Sequence, residues 1–138
     1  MQNPNARIGI VVSTYNSNIT DRLLRGSIDT LKAAGETEVE VVKVPGAWEL
    51  PLAAQRLAHE QSIVGVVTLG AVIKGETSHD QHINRAVSQA LMELMLRTGK
   101  PVGFGLLTCN SMEQAIHRAG GNVGNKGEET AQAVLQML

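Results

Sequence analysis

IVGVVTL (residues 63–69), GAVIKGETSH (70–79), INRAVSQALMELML (83–96) and PVGFGLLT (101–108) follow one another and decide the fold. The first and last are apolar runs of strand length, bounded by Ser, Gly or Pro. Between them Ile83, Ala86, Val87, Ala90, Leu91, Leu94 and Met95 recur at the i, i+3, i+4 spacing of one buried helix face. Strand, helix, strand in that order is a crossover unit: the strands run parallel, and the helix lies across the sheet in the right-handed sense.

Working outward, residues 7–14 (RIGIVVST) and 38–44 (EVEVVKV) read as two more strands. Residues 19–34 form a helix with Leu23, Leu24, Ile28 and Leu31 inward. A second helix spans 48–59, with Pro51 in the first turn, where a missing N–H is tolerated. The crossover helix covers 79–97, and short helices at 111–118 and 126–138 finish the chain. This alternation predicts an α/β fold, a flavodoxin-like three-layer αβα arrangement around a four-stranded parallel sheet of order 2-1-3-4. The expectation is one domain over 1–138, with residues 1–6 as a polar arm.

Composition narrows the function classes. Of 138 residues, 43% are hydrophobic, enough for a core, but aromatics are only 2%: Tyr15, Trp48 and Phe104. The core is therefore aliphatic. A net charge of −1, with no basic block and no aromatic platform, argues against nucleic acid. The single Cys109 excludes an internal disulfide and suits a reducing compartment. No apolar run approaches the ~20 residues of a membrane span. Residues 1–7 lack a leader's apolar segment. These features predict a soluble, cytoplasmic protein. Met92 and Leu96 lie off the buried stripe of the crossover helix, and this second apolar face predicts a subunit interface.

In open parallel sheets, ligands sit beyond the carboxyl ends of the strands. That rule selects Tyr15-Asn16, residues 46–49, 70–79 and 108–110. The 70–79 segment nearly spells a phosphate-binding P-loop, but Glu76 stands where that motif needs Lys, so the P-loop is rejected. A Gly-containing turn with Thr77 and Ser78 before a helix still suits an anion at the helix N-terminus; the plainer alternative is that one hydroxyl simply caps the helix. His79 titrates near neutrality and suits proton transfer, or is only a half-exposed residue at the helix start. His79 and His82 lack further ligands at useful spacing, and no metal is expected. Glu49 suits a hydroxylated ligand or the positive end of its helix. Tyr15 suits stacking on a flat heterocycle or ordinary packing. Arg118 suits a phosphate, but its helix follows the fourth strand. From there it reaches a neighbour's pocket more readily than its own, and a Gly-rich connection at 120–127 needs no function.

Together these segments resemble the lumazine synthase family from about Arg7 to the C-terminus. The resemblance rests on Tyr15-Asn16, GAWELP (46–51), GAVIKGETSH (70–79), GFG (103–105), EQAI (113–116), Arg118 and GNKG (124–127). It implies condensation of 5-amino-6-(D-ribitylamino)uracil with 3,4-dihydroxy-2-butanone 4-phosphate to give 6,7-dimethyl-8-ribityllumazine, phosphate and water, with no cofactor. It implies that Tyr15, at a position usually Phe, stacks on the pyrimidine beside Asn16, and that Trp48 holds a second commonly Phe position. Ala47, Trp48 and Glu49 would hold the ribityl chain, and Val72 and Ile73 would read the ring edge. Gly75, Glu76 and Thr77 would line the phosphate end, with His79 as proton shuttle. Phe104, Arg118, Lys126 and Glu129 would enter from an adjacent subunit. The resemblance also implies pentamers, and the short connection before Lys126 favours closure of twelve into an icosahedral shell. Asp80-Gln81-His82 departs from the aromatic and acidic residues that commonly follow the histidine, and Asp80 either raises the pKa of His79 or faces away. With the substrate amine as nucleophile, Cys109 is left as a small loop residue. The competing reading is a paralogue that binds flavin or lumazine without turnover, which has no need of His79 and Arg118. A phospho-receiver needs an acidic cluster where Ser13-Thr14-Tyr15 stands, and is rejected.

Overall fold

The computed structural model describes residues 5–74 and 79–138, and the side chain of His79 lies outside that description. In chain order the elements are β1 (Arg7–Ser13), α1 (Ser17–Ala33), β2 (Val39–Val44), a 3-10 turn (Ala47–Glu49), α2 (Leu50–Ala58), β3 (Ile63–Ile73), α3 (His79–Thr98), β4 (Val102–Cys109), α4 (Met112–Arg118), β5 (Ala119–Gly121), β6 (Gly124–Asn125) and α5 (Lys126–Gln136). β1 to β4 form a parallel sheet of order β2-β1-β3-β4. The alternation of apolar runs and helix-period segments predicts this topology.

Side chains alternate across the strands and build two cores. Ile8, Ile10, Val12, Val67 and Leu69 meet Ile19, Leu23 and Leu31 of α1 and Ala131 and Val134 of α5. On the other face Val11, Val66 and Leu106 meet Leu50, Ala54 and Leu57 of α2 and Val87, Leu91 and Leu94 of α3. Each Leu or Ile fully withdrawn from water contributes about 1.5–3 kcal/mol, so these two aliphatic layers hold the helices to the sheet. No aromatic residue takes part in either.

Three local features differ from the sequence reading. β3 continues through residues 70–73, which were expected to begin a loop, because Gly70, Ala71, Val72 and Ile73 pair with Leu106, Leu107, Thr108 and Cys109. Gly70 suits the crowding there, since a Cβ would lie 2.8 Å from Leu106 and 3.1 Å from Ser13 Oγ. The 118–126 connection is an antiparallel β5–β6 hairpin, shaped by Gly120 and Gly124 at φ 103° and 115°, values that side-chained residues avoid. In α3, Ala86 is exposed although it falls on the apolar stripe. The helix packs along its Val87–Leu91–Leu94 line, which leaves Ala86 at the margin.

Among the described residues no helix is long and apolar enough to cross a membrane. Met92 and Leu96 of α3 and Leu52 of α2 point outward with half or more of their surface exposed.

Candidate active site

β1 and β3 are the neighbours between which the strand order changes direction. A ligand site belongs beyond their carboxyl ends, and three chain segments meet there. After β1, Thr14 N donates to Val44 O and Tyr15 N to Pro45 O, extending the β1–β2 ladder and fixing Tyr15 beside the segment that follows β2. Asn16 then takes a left-handed conformation, φ 63° and ψ 48°. Its Nδ2 donates to Ala71 O at 3.0 Å, tying the turn to β3.

After β2, Gly46 is extended and the chain tightens into the 3-10 turn. The Glu49 carboxylate accepts the Gly46 N–H at 2.9 Å. Capping of this kind is one of the two roles open to Glu49, and it leaves the second carboxylate oxygen for another donor. After β3, Lys74 N donates to Cys109 O at 2.7 Å, which carries the β3–β4 pairing on to Lys74, whose side chain is exposed.

Between these segments lies a cleft of about 440 Å³, lined by Tyr15, Asn16, Gly46, Ala47, Trp48, Ala71, Val72, Ile73, Lys74, Asp80, Ile83 and Met112. Its size falls in the ordinary range for small-molecule sites. Tyr15 is 69% exposed and Trp48 62%. Two aromatics kept out of an aliphatic core and set around one cleft form a surface on which a flat ligand could stack. A larger and shallower groove of about 1040 Å³ runs between α1, the β5–β6 hairpin and α5. It lies on the α1 flank with no aromatic lining, so the smaller cleft is the better site.

Of the residues expected at the site, Tyr15, Asn16, Ala47, Trp48, Val72 and Ile73 line the cleft, and Glu49 sits in the adjoining turn. Gly75, Glu76, Thr77 and Ser78 lie outside the described residues; of His79 only its place at the start of α3 is described. Asp80 lines the cleft; its placement relative to the His79 side chain lies outside the described residues. Lys74, Ile83 and Met112 are additions. Lys74 belonged to the segment that the strand-end rule selected, but nothing in the sequence singled it out. Met112 follows the selected 108–110 segment by only two residues. Ile83 was assigned to the core, and is half-buried where core and cleft meet.

Phe104, Arg118, Lys126 and Glu129 do not join the cleft of their own chain. Phe104 stands on the edge strand β4, 39% exposed. Gly103 and Gly105 beside it face α5, where a Cβ would come within 2.6 and 2.8 Å of Thr130 side-chain atoms. Arg118 ends α4, while Lys126 and Glu129 begin α5. Cys109 is the buried last residue of β4, not a loop residue. Burial pushes its thiol pKa up, while the charge of Arg118 acts in the opposite sense. The thiol stays protonated at neutral pH, which suits packing better than nucleophilic attack. Among the described residues no three His, Cys, Asp or Glu side chains are placed to share a metal ion.

Sheet topology and cleft together define a flavodoxin-like α/β protein with an aromatic-flanked cleft at the switch point. The family model described as 6,7-dimethyl-8-ribityllumazine synthase matches residues 5–138. A 6,7-dimethyl-8-ribityllumazine synthase of Rhodopirellula baltica is 53% identical over 137 residues, which is 98% of this chain and 88% of the relative. The chain belongs to the 6,7-dimethyl-8-ribityllumazine synthase family, transferases of riboflavin biosynthesis.

Proposed function

We propose that the chain condenses 5-amino-6-(D-ribitylamino)uracil with 3,4-dihydroxy-2-butanone 4-phosphate at this cleft. The observation behind the reading is the pair of exposed aromatics, Tyr15 and Trp48, around a cleft at the switch point of a sheet whose core has none. The pyrimidine stacks on Tyr15, and the backbone of Val72 and Ile73 reads its edge. The ribityl hydroxyls meet the Ala47–Glu49 turn, where the bond to Gly46 N–H presets the Glu49 carboxylate.

The pyrimidine's 5-amino nitrogen attacks the ketone carbon, and water leaves to give an imine. The neighbouring carbon loses a proton as the C–O bond to phosphate breaks, and the resulting enol becomes a methyl ketone. The ribityl-bearing nitrogen then closes the ring on that ketone and a second water leaves. No step changes the overall oxidation level, so acid–base help and orientation are the whole requirement. Orientation supplies up to about 7–11 kcal/mol, and a positioned histidine typically ~10²–10⁴-fold. His79 takes and returns the protons, with Asp80 beside it. Gly75, Glu76 and Thr77 line the phosphate end, and Lys74 adds a positive charge to the same cleft.

Phe104, Arg118, Lys126 and Glu129 complete the site from an adjacent copy, because none of them reaches the cleft of its own chain. The outward Met92 and Leu96 of α3, with Leu52 of α2, pack between copies in a pentameric ring. Twelve such rings close into an icosahedral shell, and the protein acts in the cytoplasm as one domain.

The test is product formation by purified protein from both substrates, without added metal or cofactor. Lumazine and inorganic phosphate are expected in equal amounts. Tight lumazine binding without turnover would instead favour the storage or sensing paralogue, and absence of both would overturn the reading.

A further inference from the structure

We infer that Asn16 is a positioning residue, a strut between the β1–α1 turn and β3 that sets the gap between Tyr15 and the Val72–Ile73 wall. The inference rests on the proposed reading of the cleft and goes beyond it. A role in contacting ligand does not require the carboxamide to be used inside the protein.

Three observations converge on Asn16. It is the one side-chained residue with positive φ among the described residues. Asparagine tolerates that region better than most side chains. Although it occupies the N-cap position of α1, its side chain makes no cap hydrogen bond, which is the usual task of Asn there. The side chain instead donates from Nδ2 to Ala71 O, 55 residues away in the chain. Meanwhile its own carbonyl accepts from Ile19 N and Thr20 N. One residue thus starts α1 through its backbone and grips β3 through its side chain.

The grip lands where it matters for the cleft. Ala71 immediately precedes Val72 and Ile73, and Tyr15 immediately precedes Asn16; all five residues line the site. The opposite side of the Tyr15 peptide is held by Pro45 O. Tyr15 is therefore fixed from β2 on one side and from β3, through Asn16, on the other. Because the ring of Tyr15 is mostly exposed, packing does little to orient it, and these backbone tethers carry that task.

Asn16→Asp separates positioning from folding. Aspartate keeps the shape and accepts a left-handed backbone. Its charge favours the N-terminus of α1. It has no N–H to give Ala71 O, and sets a carboxylate oxygen against that carbonyl. The expected result is a melting temperature within about 3 °C of that of the starting protein, because the gain at the helix N-terminus offsets most of the lost bond. Lumazine Kd and the KM for the pyrimidine should rise roughly tenfold, with a smaller change in kcat. Asn16→Gly, which relaxes φ and removes the side chain, should lose comparable affinity. A ligand-free readout keeps the proposal independent of the reaction: deuterium uptake at residues 14–16 should quicken in both variants, because the bond from Tyr15 N to Pro45 O opens more often.

If both variants bind lumazine within about twofold of the starting protein, with unchanged exchange at 14–16, Asn16 is no strut. A fall in melting temperature that accounts for all the lost affinity would also overturn the proposal, since the role would then be one of folding. Failure of the starting protein to form lumazine would refute the proposed reaction. The exchange measurement would still decide the strut.

Discussion

Gly127→Ala should lower the melting temperature by roughly 10 °C, about 3 kcal/mol for a domain of this size. At Gly127, in the first turn of α5, an added Cβ would lie 2.0 Å from Leu23 O, 2.7 Å from Leu23 C and 2.9 Å from its Cα. These are backbone atoms of α1, so no side chain can swing aside, and one helix must move off the other. Ser27 Oγ donates to Gly127 O at 2.7 Å inside that contact, and separation strands a buried hydroxyl at ~1–3 kcal/mol. Overpacking costs a further ~1–3 kcal/mol. Against these stands alanine's helix preference over glycine, at most ~1 kcal/mol, and the loss wins. Gly26→Ala is the informative comparison. Its Cβ would meet the Asn125 carboxamide at 2.5 Å, a side chain able to rotate away. The cost there is mainly the α5 cap, in which Glu128 N donates to Asn125 Oδ1, about 1 kcal/mol. Thermal unfolding of the two variants decides the matter; a Gly127→Ala protein as stable as Gly26→Ala would mean that the helices part without penalty.

The same contact shows why some of the architecture could be read from residue pattern and some could not. Periodicity reports on one element at a time, and it is enough for the four strands, their order and the inward residues Leu23 and Leu31 of α1. It does not report how closely two helices approach, so Gly26 and Gly127 look like ordinary glycines until α1 and α5 are side by side. The extension of β3 through Gly70–Ala71 is hidden for a related reason: a glycine after an apolar run reads as a turn unless a partner strand is known to continue. At the site, the rule that ligands gather at strand ends found Tyr15, Asn16 and Trp48, because their positions follow directly from where strands stop. Asp80 and Ile83 follow from the rotation of α3 on the sheet, a packing property that their sequence positions leave open. The separation of Arg118 from the cleft was expected, since a helix following β4 starts on the far edge of the sheet.

That separation leads to the second large effect. On the proposed mechanism, in which His79 carries the protons, His79→Ala should slow turnover ~10²–10⁴-fold. On the same reading, in which Arg118 grips the phosphate, Arg118→Ala should weaken the phosphate substrate far more than the pyrimidine. In the proposed ring, co-assembly of the two variants would let a cleft with intact His79 meet an intact Arg118 from its neighbour. In a head-to-tail ring with random mixing, roughly a quarter of the sites acquire both groups. Each variant alone should be almost inactive at low phosphate-substrate concentration, while co-assembly restores about a quarter of normal turnover. A cleft completed within its own chain gives the opposite result, because every mixed chain still lacks one of the two groups and activity stays at the level of the single variants. The geometry favours recovery. Phe104 lies on the edge strand β4, Arg118 closes α4, and Lys126 and Glu129 open α5. None of them lines the cleft between β1 and β3. Recovery that persists when the variants are mixed only after separate assembly, under conditions where subunits do not exchange, would count against a shared site, since no cleft would then have gained a new neighbour.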